Sequence, residues 1–412
     1  METFSHPFLI GGMPALSIAE KFGTPLYVYD ANIIEAQYHR LMSAFSELNF
    51  KPKYACKANT NLSILKFILH LGCGLDTVSI QEVKLGILAG FAPDNIIFTP
   101  NSVSIDEIVE AAALGVRLNI DNLHILNEFG IRYGNTKPVC IRLNPHIVAG
   151  GNIKIQTAHL GSKFGISIHQ IDDIIAICQK HEIVIEGLHM HSGSDIKDVN
   201  SFLKGLEVLF DTAKYFSQLN YLDFGSGFKV AYKEDDASTD IEQLGKEVCA
   251  RFNAFCKNYG KTLELWCEPG KYLVSRSGYL LVNVNVLKAT AANITIAGVD
   301  SGLNHLIRPM MYDAYHEIVN ISNPSLEKHP YSVVGNICET DTFGTDRLLS
   351  EVRMGDTLAI LNAGAYGFSM SSNYNSRLKP AEIMVYKGKA HLIRQRQVFE
   401  DLLLHQPQVD FL

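Results

Sequence analysis

Lys57 lies in the segment KYACKAN, at the end of a short strand-like run, and its amine could act as a nucleophile. An amine at the end of a buried strand loses part of its hydration, which lowers its pKa and allows it to form a Schiff base with an aldehyde. A lone lysine in such a place is more often a surface residue whose ammonium group reaches solvent. The Schiff-base interpretation therefore depends on the residues that accompany Lys57.

Polar residues also close the apolar runs that follow along the chain. In a barrel of parallel strands, catalytic groups lie at the carboxyl ends of the strands. Two closing segments, DFGSGF and CEPGK, are of the kind that holds a phosphate through loop backbone amides, although a GxG pair alone is more often a tight turn. The closing residues are Lys57, Asp76, Ser79, Asn101, Asp121, Arg142, Asn144, His191, Ser194, Gly225, Gly227 and Glu268.

Short β-rich runs that alternate with segments of helical length must position these residues. Such alternation predicts right-handed βαβ units and a parallel sheet, and eight strands are the number that closes a (β/α)8 barrel. A ninth run, PLYVYD at residues 25–30, precedes the series, so the pattern alone leaves an open doubly wound sheet as an alternative. In the helical segment SIDEIVEAAALG, Ser104 and Glu107 predict a capping box. The eight runs are PKYACKA, GLDTVS, NIIFTP, VRLNID, VCIRLNP, IEGLHMHSG, YLDFGSG and LELWCEPG.

The composition narrows the class of protein. The chain has 412 residues, of which 47% are hydrophobic and 19% charged, as in folded proteins of two domains. Its net charge is -7 and its lysines and arginines are dispersed, so nucleic acid is not an expected partner. No apolar run approaches the roughly 18 residues of a membrane span, and the first residues lack the pattern of a secretion signal. We therefore expect a cytoplasmic protein without a membrane partner.

Cysteines and histidines show no spacing typical of a metal site. The eight cysteines are scattered without a CxxC pair, which argues against zinc sites and against a disulfide framework. His189 and His191 are two residues apart in a predicted strand, so both side chains point to the same side. Because no third ligand stands at metal spacing, we predict no metal site.

The sequence pattern changes near residue 275. Aliphatic and β-branched runs bounded by Gly, Asn and Asp follow, among them SGYLLVNVNVLKAT and DTLAILNAG. Such runs predict a mostly β domain after the barrel.

The motifs, taken together and in order, resemble those of the fold type III pyridoxal-phosphate decarboxylases, which include the ornithine, arginine and diaminopimelate decarboxylases. The resemblance implies a TIM-like (β/α)8 barrel over residues 31–275 that binds pyridoxal 5'-phosphate. It also implies a second, mostly β domain formed by residues 1–30 and 276–412, as in the alanine racemase-like fold. The segments that carry it are YACKAN, GLDTVS, RLNP, HLGSKFGI, GLHMHSGSD, DFGSGF, EPGKYLV, LIRPMMYDAYHEI, ICETDTF, GAYGFSM and SSNYNSR.

The resemblance assigns roles around the cofactor. Lys57 would form the Schiff base, Glu268 would pair with the pyridine nitrogen, and His191 would stack on the ring. The remaining cofactor-binding residues, several of them at the phosphate, would be Asp76, Ser194, Gly225, Gly227, Gly270 and Tyr366.

The same resemblance implies a homodimer with shared active sites. Cys338 in ICETDTF matches the cysteine that returns a proton to the substrate carbon after carbon dioxide leaves. In the family this segment, with Glu339, is supplied by the neighbouring subunit. Each active site would then need two chains.

The segment LIRPMMYDAYHEI indicates the substrate, because it resembles the RPxLYxAxH motif of diaminopimelate decarboxylases. Arg308 and Tyr312 would hold the carboxylate at the far end of an amino-acid substrate, and a guanidinium suits bidentate carboxylate recognition. Glu339 would receive the ammonium group beside that carboxylate. Lys271, which stands where the family commonly has arginine, and Tyr366 would also contact the substrate. The resemblance thus implies decarboxylation of meso-2,6-diaminopimelate to L-lysine, the last step of lysine biosynthesis.

The sequence leaves other functions open. Another basic amino acid or carboxynorspermidine could be the substrate. Alanine racemase is disfavoured, because its two-base chemistry needs a tyrosine near the ring where this chain offers Cys338. A noncatalytic regulator similar to the antizyme inhibitors is a further alternative, but such proteins lose cofactor binding, whereas Lys57, His191, Glu268 and Cys338 are all present.

Overall fold

Helices and strands alternate over most of the chain in the computed structural model, which describes residues 7–147, 158–233, 235–324 and 327–411. The helices are α1 (Ala15–Phe22), α2 (Ala31–Ala44), α3 (Leu62–His70), α4 (Ile80–Ala89), α5 (Ile105–Ala113), α6 (Leu123–Tyr133), α7 (Ile171–His181), α8 (Val199–Ala213), α9 (Ile241–Tyr259), α10 (Lys271–Val274) and α11 (Arg308–Tyr312). The strands are β1 (Leu9–Ile10), β2 (Met13–Pro14), β3 (Leu26–Asp30), β4 (Phe50–Ala55), β5 (Gly74–Thr77), β6 (Ile96–Phe98), β7 (Arg117–Ile120), β8 (Val139–Asn144), β9 (Ile166–Ser167), β10 (Ile185–Met190), β11 (Tyr221–Asp223), β12 (Glu264–Cys267), β13 (Gly278–Ala289), β14 (Thr295–Val299), β15 (Ile318–Asn320), β16 (Lys328–Val334), β17 (Thr342–Ser350), β18 (Thr357–Ile360), β19 (Ala381–Tyr386) and β20 (Lys389–Arg394).

Within the described residues, eight parallel strands close into a barrel. They run in the order β4, β5, β6, β7, β8, β10, β11, β12, and closure comes from the pairing of β12 with β4. The short strand β9 pairs with β8 outside this ring. The strands are almost entirely buried, as expected for parallel strands covered by helices. All eight predicted runs supply barrel strands, so the barrel prediction is confirmed and the open-sheet alternative is wrong.

The ninth run, PLYVYD, forms β3, which belongs to a second sheet. β3 pairs antiparallel with β13 and parallel with β19, so it lies inside that sheet rather than at its edge. Its five residues are all buried. Leu26 and Val28 pack into an apolar cluster with Leu281 and Ile383, and each such side chain contributes about 1.5–3 kcal/mol when fully buried. Strand propensity identified β3, but its partners lie far along the chain and could not be inferred from local pattern.

Side-chain caps fix where several barrel helices begin. Ser79 Oγ accepts a hydrogen bond from Glu82 N at 3.2 Å, and Ser104 Oγ accepts one from Glu107 N at 3.4 Å. The predicted capping box of Ser104 and Glu107 is only half formed, because the Glu107 carboxylate accepts instead from Ile80 N at 3.1 Å. Glu107 thereby satisfies a backbone donor at the start of the neighbouring helix α4, a tertiary contact that local sequence does not reveal.

The chain divides into two compact units. One comprises Met1–Ile34, Tyr232–Glu234 and Val274–Leu412, and the other comprises Glu35–Ala231 and Asp235–Leu273. Residues 1–6 of the predicted second domain lie outside the described residues. The domain boundaries inferred from the sequence remain a prediction. None of the described helices is both long and apolar enough to cross a membrane.

We predict that Gly245→Ala destabilises the barrel unit. A Cβ added at Gly245 on α9 would lie 2.1 Å from the carbonyl oxygen of Ala44 on α2, and backbone cannot move aside as a side chain can. Overpacking costs about 1–3 kcal/mol, which exceeds the gain of at most about 1 kcal/mol from replacing glycine in a helix. Chemical denaturation should show a lower free energy of unfolding, whereas the exposed neighbour Lys246→Ala should stay within about 0.5 kcal/mol of the wild type. Equal stability of Gly245→Ala and the wild type would contradict this prediction.

Candidate active site

Strand register gathers charged side chains near the carboxyl ends of the barrel strands. His189 of β10 lies opposite Arg142 of β8 on one side and Asp223 of β11 on the other. Asp76 of β5 lies opposite Ala55, two residues before Lys57. Because parallel strands end at the same face of a barrel, residues that are far apart in the sequence share one region.

Glu268 follows β12 and is the acidic centre of this region. Its Oε2 is 3.1 Å from Nε2 of His189, and both side chains are buried. Burial lowers the pKa of His189 well below its usual value, and the charges of Arg142 and Lys57 lower it further. His189 is therefore neutral, and its Nε2–H donates to Glu268. Glu268 Oε1 is buried without a hydrogen-bond partner among the described residues, so one carboxylate oxygen is held while the other is available.

Buried acids and cations balance each other here. Burial raises the pKa of Asp76 to about 7, with a further increase from Glu268, while Lys57 and Arg142 oppose the shift. Burial likewise raises the pKa of Glu268, and the same two cations oppose it. Burial lowers the pKa of Arg142, whose guanidinium carbon lies 4.7 Å from the Phe164 ring centroid. The acids thus depend on Lys57 and Arg142 to keep a charge inside the barrel.

The loop after β11 needs glycine for steric reasons. Gly227 has φ +107, and a Cβ there would lie 2.2 Å from the carbonyl oxygen of Gly193. Gly225 has φ +66 and donates its N–H to Asp223 Oδ1 at 2.8 Å. Ser226 N donates to Nδ1 of His191 at 3.2 Å, so neutral His191 carries its proton on Nε2. Because neither glycine has a Cβ, this loop can pack closely against the end of β10 and the loop that follows it.

Lys271 begins α10, directly after Gly270, and pairs with an acid. Its Nζ lies 2.5 Å from Asp195 Oδ1, and the two side chains are 8% and 22% exposed. Asp195 has a left-handed backbone, with φ +60, and is next to the half-buried Ser194. The preceding loop is tied to β4 because Ala55 N donates to the Pro269 carbonyl at 3.2 Å. The pairing of Lys271 with Asp195 was not predicted.

Arg308 starts α11 in the other unit and is 6% exposed. Its Nη2 donates to the Tyr232 hydroxyl at 3.0 Å, and its Nη1 lies 3.2 Å from Nε2 of His316. Tyr312 closes the same helix and is half-buried. The sequence motif identified Arg308 and Tyr312 but gave no role to Tyr232 or His316.

Cys338 and Glu339 lie between β16 and β17, and both are exposed. Cys338 N donates to Asn375 Oδ1 at 2.9 Å, and Glu339 Oε1 accepts from the Tyr374 hydroxyl at 2.7 Å. These contacts connect the ICETDTF and SSNYNSR segments. Tyr366, in the same unit, is half-buried and has a left-handed backbone with φ +55.

Three buried side chains bring atoms of metal-ligating type together inside the barrel. Candidate ligand atoms of His189, Asp223 and Glu268 all lie within 4.8 Å of one another. The three residues lie in or directly after three neighbouring strands, so sequence spacing could not bring them together, and the absence of a metal site stays a prediction. The alternation of His189 and His191 placed both imidazoles on one side, but the partner of His189 became apparent only from strand register.

Comparison with known proteins identifies the family. The family model "Pyridoxal-dependent decarboxylase, pyridoxal binding domain" matches residues 31–275. The diaminopimelate decarboxylase of Methanothermobacter thermautotrophicus is 39% identical, over 97% of this chain and 95% of the relative. The chain belongs to the diaminopimelate decarboxylase family. The resemblance inferred from the motifs is thereby confirmed.

Solved structures agree with this family membership. The M. jannaschii diaminopimelate decarboxylase in complex with L-lysine has a TM-score of 0.91 and 32% identity, covering 99% of this chain and 98% of that one. The Helicobacter pylori diaminopimelate decarboxylase, also in complex with L-lysine, has a TM-score of 0.86 and 33% identity, covering 94% and 98%. These two members of the family bind the same amino acid.

We predict a pH-dependent gain of stability for Asp76→Asn in the cofactor-free protein. The pKa of Asp76 rises from 3.8 to about 7 on folding, so the native state holds more protons than the unfolded state between these values. The free energy of unfolding of the wild type therefore contains a term that decreases as pH rises through that window. Thermal unfolding should show the difference, variant minus wild type, growing from pH 5 to pH 8. A difference that is constant with pH would contradict the assignment of this shift to Asp76.

Proposed function

We propose that this chain decarboxylates meso-2,6-diaminopimelate to L-lysine and carbon dioxide, with pyridoxal 5'-phosphate as its cofactor. The observation that carries the proposal is the buried guanidinium of Arg308, which is held by neutral groups in a chain 39% identical to a diaminopimelate decarboxylase. As an enzyme of amino-acid biosynthesis, it would act in the cytoplasm.

The barrel residues fit the cofactor. Glu268 Oε1, buried and without a partner in the described part of the chain, suits a protonated ring nitrogen. Gly225 and Gly227 keep side chains away from a loop where a phosphate could approach backbone, with Ser194, Gly270 and Tyr366 as further phosphate contacts. Lys57 supplies the primary amine that an aldehyde requires. Bound pyridoxal phosphate supplies an electron-accepting ring, which stabilises the negative charge left when carbon dioxide departs.

Side chains of this protein would orient the cofactor and supply the proton that the substrate carbon requires. Glu268 would hold the proton of the ring nitrogen, and His189 fixes the carboxylate by donating to Oε2. His191, neutral and with Nδ1 occupied by Ser226 N, provides a flat uncharged face for the ring. Lys57 would hold the cofactor through its primary amine. The Cys338 thiol would deliver a proton to the carbon that has lost its carboxylate.

Recognition of the distal end distinguishes the substrates. Arg308, with Tyr312, would bind the distal carboxylate, and Glu339 would bind the ammonium group beside it. As substrates, lysine and ornithine would have their only carboxylate at the cofactor, so a buried arginine at the distal end would gain no ionic partner from them; L-lysine as the product keeps the distal carboxylate. Lys271 would contribute a point charge where relatives offer a planar guanidinium.

We also propose a homodimer in which Cys338 and Glu339 of each chain complete the active site of the other. Both residues are exposed, although the proposed chemistry requires them in an enclosed site. Asn375 holds the Cys338 backbone and Tyr374 holds the Glu339 side chain, as expected of a preformed surface.

Arg308→Gln should strongly reduce lysine formation from meso-diaminopimelate while leaving the cofactor bound. Removing one partner of a buried charged contact costs about 2–5 kcal/mol, so kcat/KM should decrease at least about 30-fold. Lysine and carbon dioxide production would be measured beside the visible absorption of the cofactor, with the exposed Arg353→Gln as a control expected to match the wild type. An unchanged kcat/KM would show that the distal carboxylate binds elsewhere, and wild-type turnover of ornithine or lysine instead would refute the proposed substrate.

Mixing two inactive variants should restore activity if the active sites are shared. Lys57→Ala should lose both the cofactor's visible absorption and activity, and Cys338→Ala should keep the absorption but lose turnover. In a re-associated equal mixture, half of the dimers are mixed and carry one intact site of two, so about a quarter of wild-type activity should return. The control is Lys51→Ala, an exposed lysine of the same strand as the Lys57 segment, which should behave like the wild type. No recovery in a mixture proven to contain mixed dimers would refute the shared site.

A further inference from the structure

His316 has no assigned role, yet it contacts the guanidinium that the proposed function places at the distal carboxylate. It is 0% exposed, and Nη1 of Arg308 lies 3.2 Å from its Nε2. Its other ring nitrogen, Nδ1, lies 2.8 Å from the carbonyl oxygen of Leu361. Both ring nitrogens are therefore engaged.

The two contacts together determine the state of the imidazole. A carbonyl oxygen can only accept, so Nδ1 must carry the proton and donate to Leu361. A guanidinium can only donate, so Nε2 must be bare and accept from Arg308. Burial lowers the pKa of His316 to about 3, and the charge of Arg308 lowers it further, in agreement with a neutral ring. His316 thus offers Arg308 one acceptor and no charge.

Tyr232 completes the same arrangement. Its hydroxyl accepts from Nη2 of Arg308 at 3.0 Å, and its ring centroid lies 5.1 Å from the guanidinium carbon. Its ring also packs edge-on against the His316 ring, with centroids 5.8 Å apart. Arg308 is therefore fixed at both Nη atoms and from one side by groups that are themselves packed together.

The neutrality of these partners matters for binding an anion. A buried arginine usually pairs with an acid, which cancels its charge and competes with any carboxylate ligand. In the described chain Arg308 has two neutral acceptors and no ion pair with an acid, so its positive charge is uncompensated. Two of the five N–H groups of the guanidinium are occupied by these acceptors, and the others can donate to a ligand.

We propose that His316 is a positioning residue for substrate specificity, which fixes the Arg308 guanidinium while leaving its charge for the carboxylate of an amino-acid head group. This inference rests on the proposed function and adds the reason why the arginine selects a carboxylate. A failure of this inference can be separated from a failure of the proposed function, because measurements on the wild type test the proposed function before any variant is compared.

The experiment compares two conservative variants of the holoenzyme. His316→Asn keeps a donor where Nδ1 stands, for Leu361, but lacks the acceptor for Arg308. His316→Gln places an acceptor where Nε2 stands and loses the contact with Leu361. Dissociation constants would be measured for L-lysine, which has a carboxylate, and for cadaverine, the same diamine chain without one, from the visible absorption of the bound cofactor. Thermal stability of each variant and kcat and KM for meso-diaminopimelate would be measured in parallel.

We expect His316→Asn to weaken L-lysine binding at least about tenfold and cadaverine binding less than about twofold, since one charge-assisted hydrogen bond is lost at the carboxylate end. KM should increase more than kcat decreases, and His316→Gln should bind L-lysine more tightly than His316→Asn, whatever their order of thermal stability. Equal weakening of both ligands, or unchanged L-lysine binding in His316→Asn, would overturn the proposal.

Two further outcomes are decisive. If His316→Asn does not fold, His316→Gln alone carries the test: a ratio of L-lysine to cadaverine affinity close to that of the wild type supports the proposal, and loss of that ratio overturns it. If the wild type binds L-lysine no more tightly than cadaverine, or forms no lysine from meso-diaminopimelate, it is the proposed function that fails, and with it the premise of this inference.

Discussion

The barrel interior depends on keeping charged groups where water is scarce. Asp76, Asp223 and Glu268 are each at most 7% exposed, and burial raises the pKa of all three. Isolated carboxylates would become protonated in such a place. Lys57 and Arg142 lower the pKa of Asp76 and Glu268, so these cations are part of what keeps the acids reactive. A substitution of either cation would therefore alter the protonation of Asp76 and Glu268.

In each unit a neutral imidazole holds a charged side chain by a hydrogen bond. His189 donates to Glu268, and His316 accepts from Arg308. In each case burial lowers the pKa of the histidine, so the ring orients a charged group without cancelling its charge. A carboxylate beside Arg308 or an ammonium beside Glu268 would satisfy the same hydrogen bonds, but it would also cancel the charge of the residue that it contacts.

Much of the architecture could be predicted, because each barrel strand can be recognised from its local sequence. Each strand is an apolar run followed by a polar residue, and eight such runs that alternate with helices favour a closed barrel. The sheet to which β3 belongs could not be predicted, since its partners β13 and β19 lie hundreds of residues away in the sequence. Motifs likewise indicated Lys57, Glu268 and Arg308. They could not indicate His189 or His316 as partners, because strand register and a buried carbonyl, rather than spacing, decide those contacts.

Lys271 shows how a departure from the family pattern can be understood only in its surroundings. By sequence it replaces a planar guanidinium with a point charge, which suggests a weaker hold on an anion. The structure adds Asp195, whose carboxylate lies 2.5 Å from the ammonium group in a largely buried pair. An arginine could span an acid and a ligand with different N–H groups of its rigid fork, whereas a lysine has one nitrogen to share between them. Asp195 therefore fixes the position of Lys271 and offsets its charge, whereas Arg308 is held by neutral groups and keeps its charge.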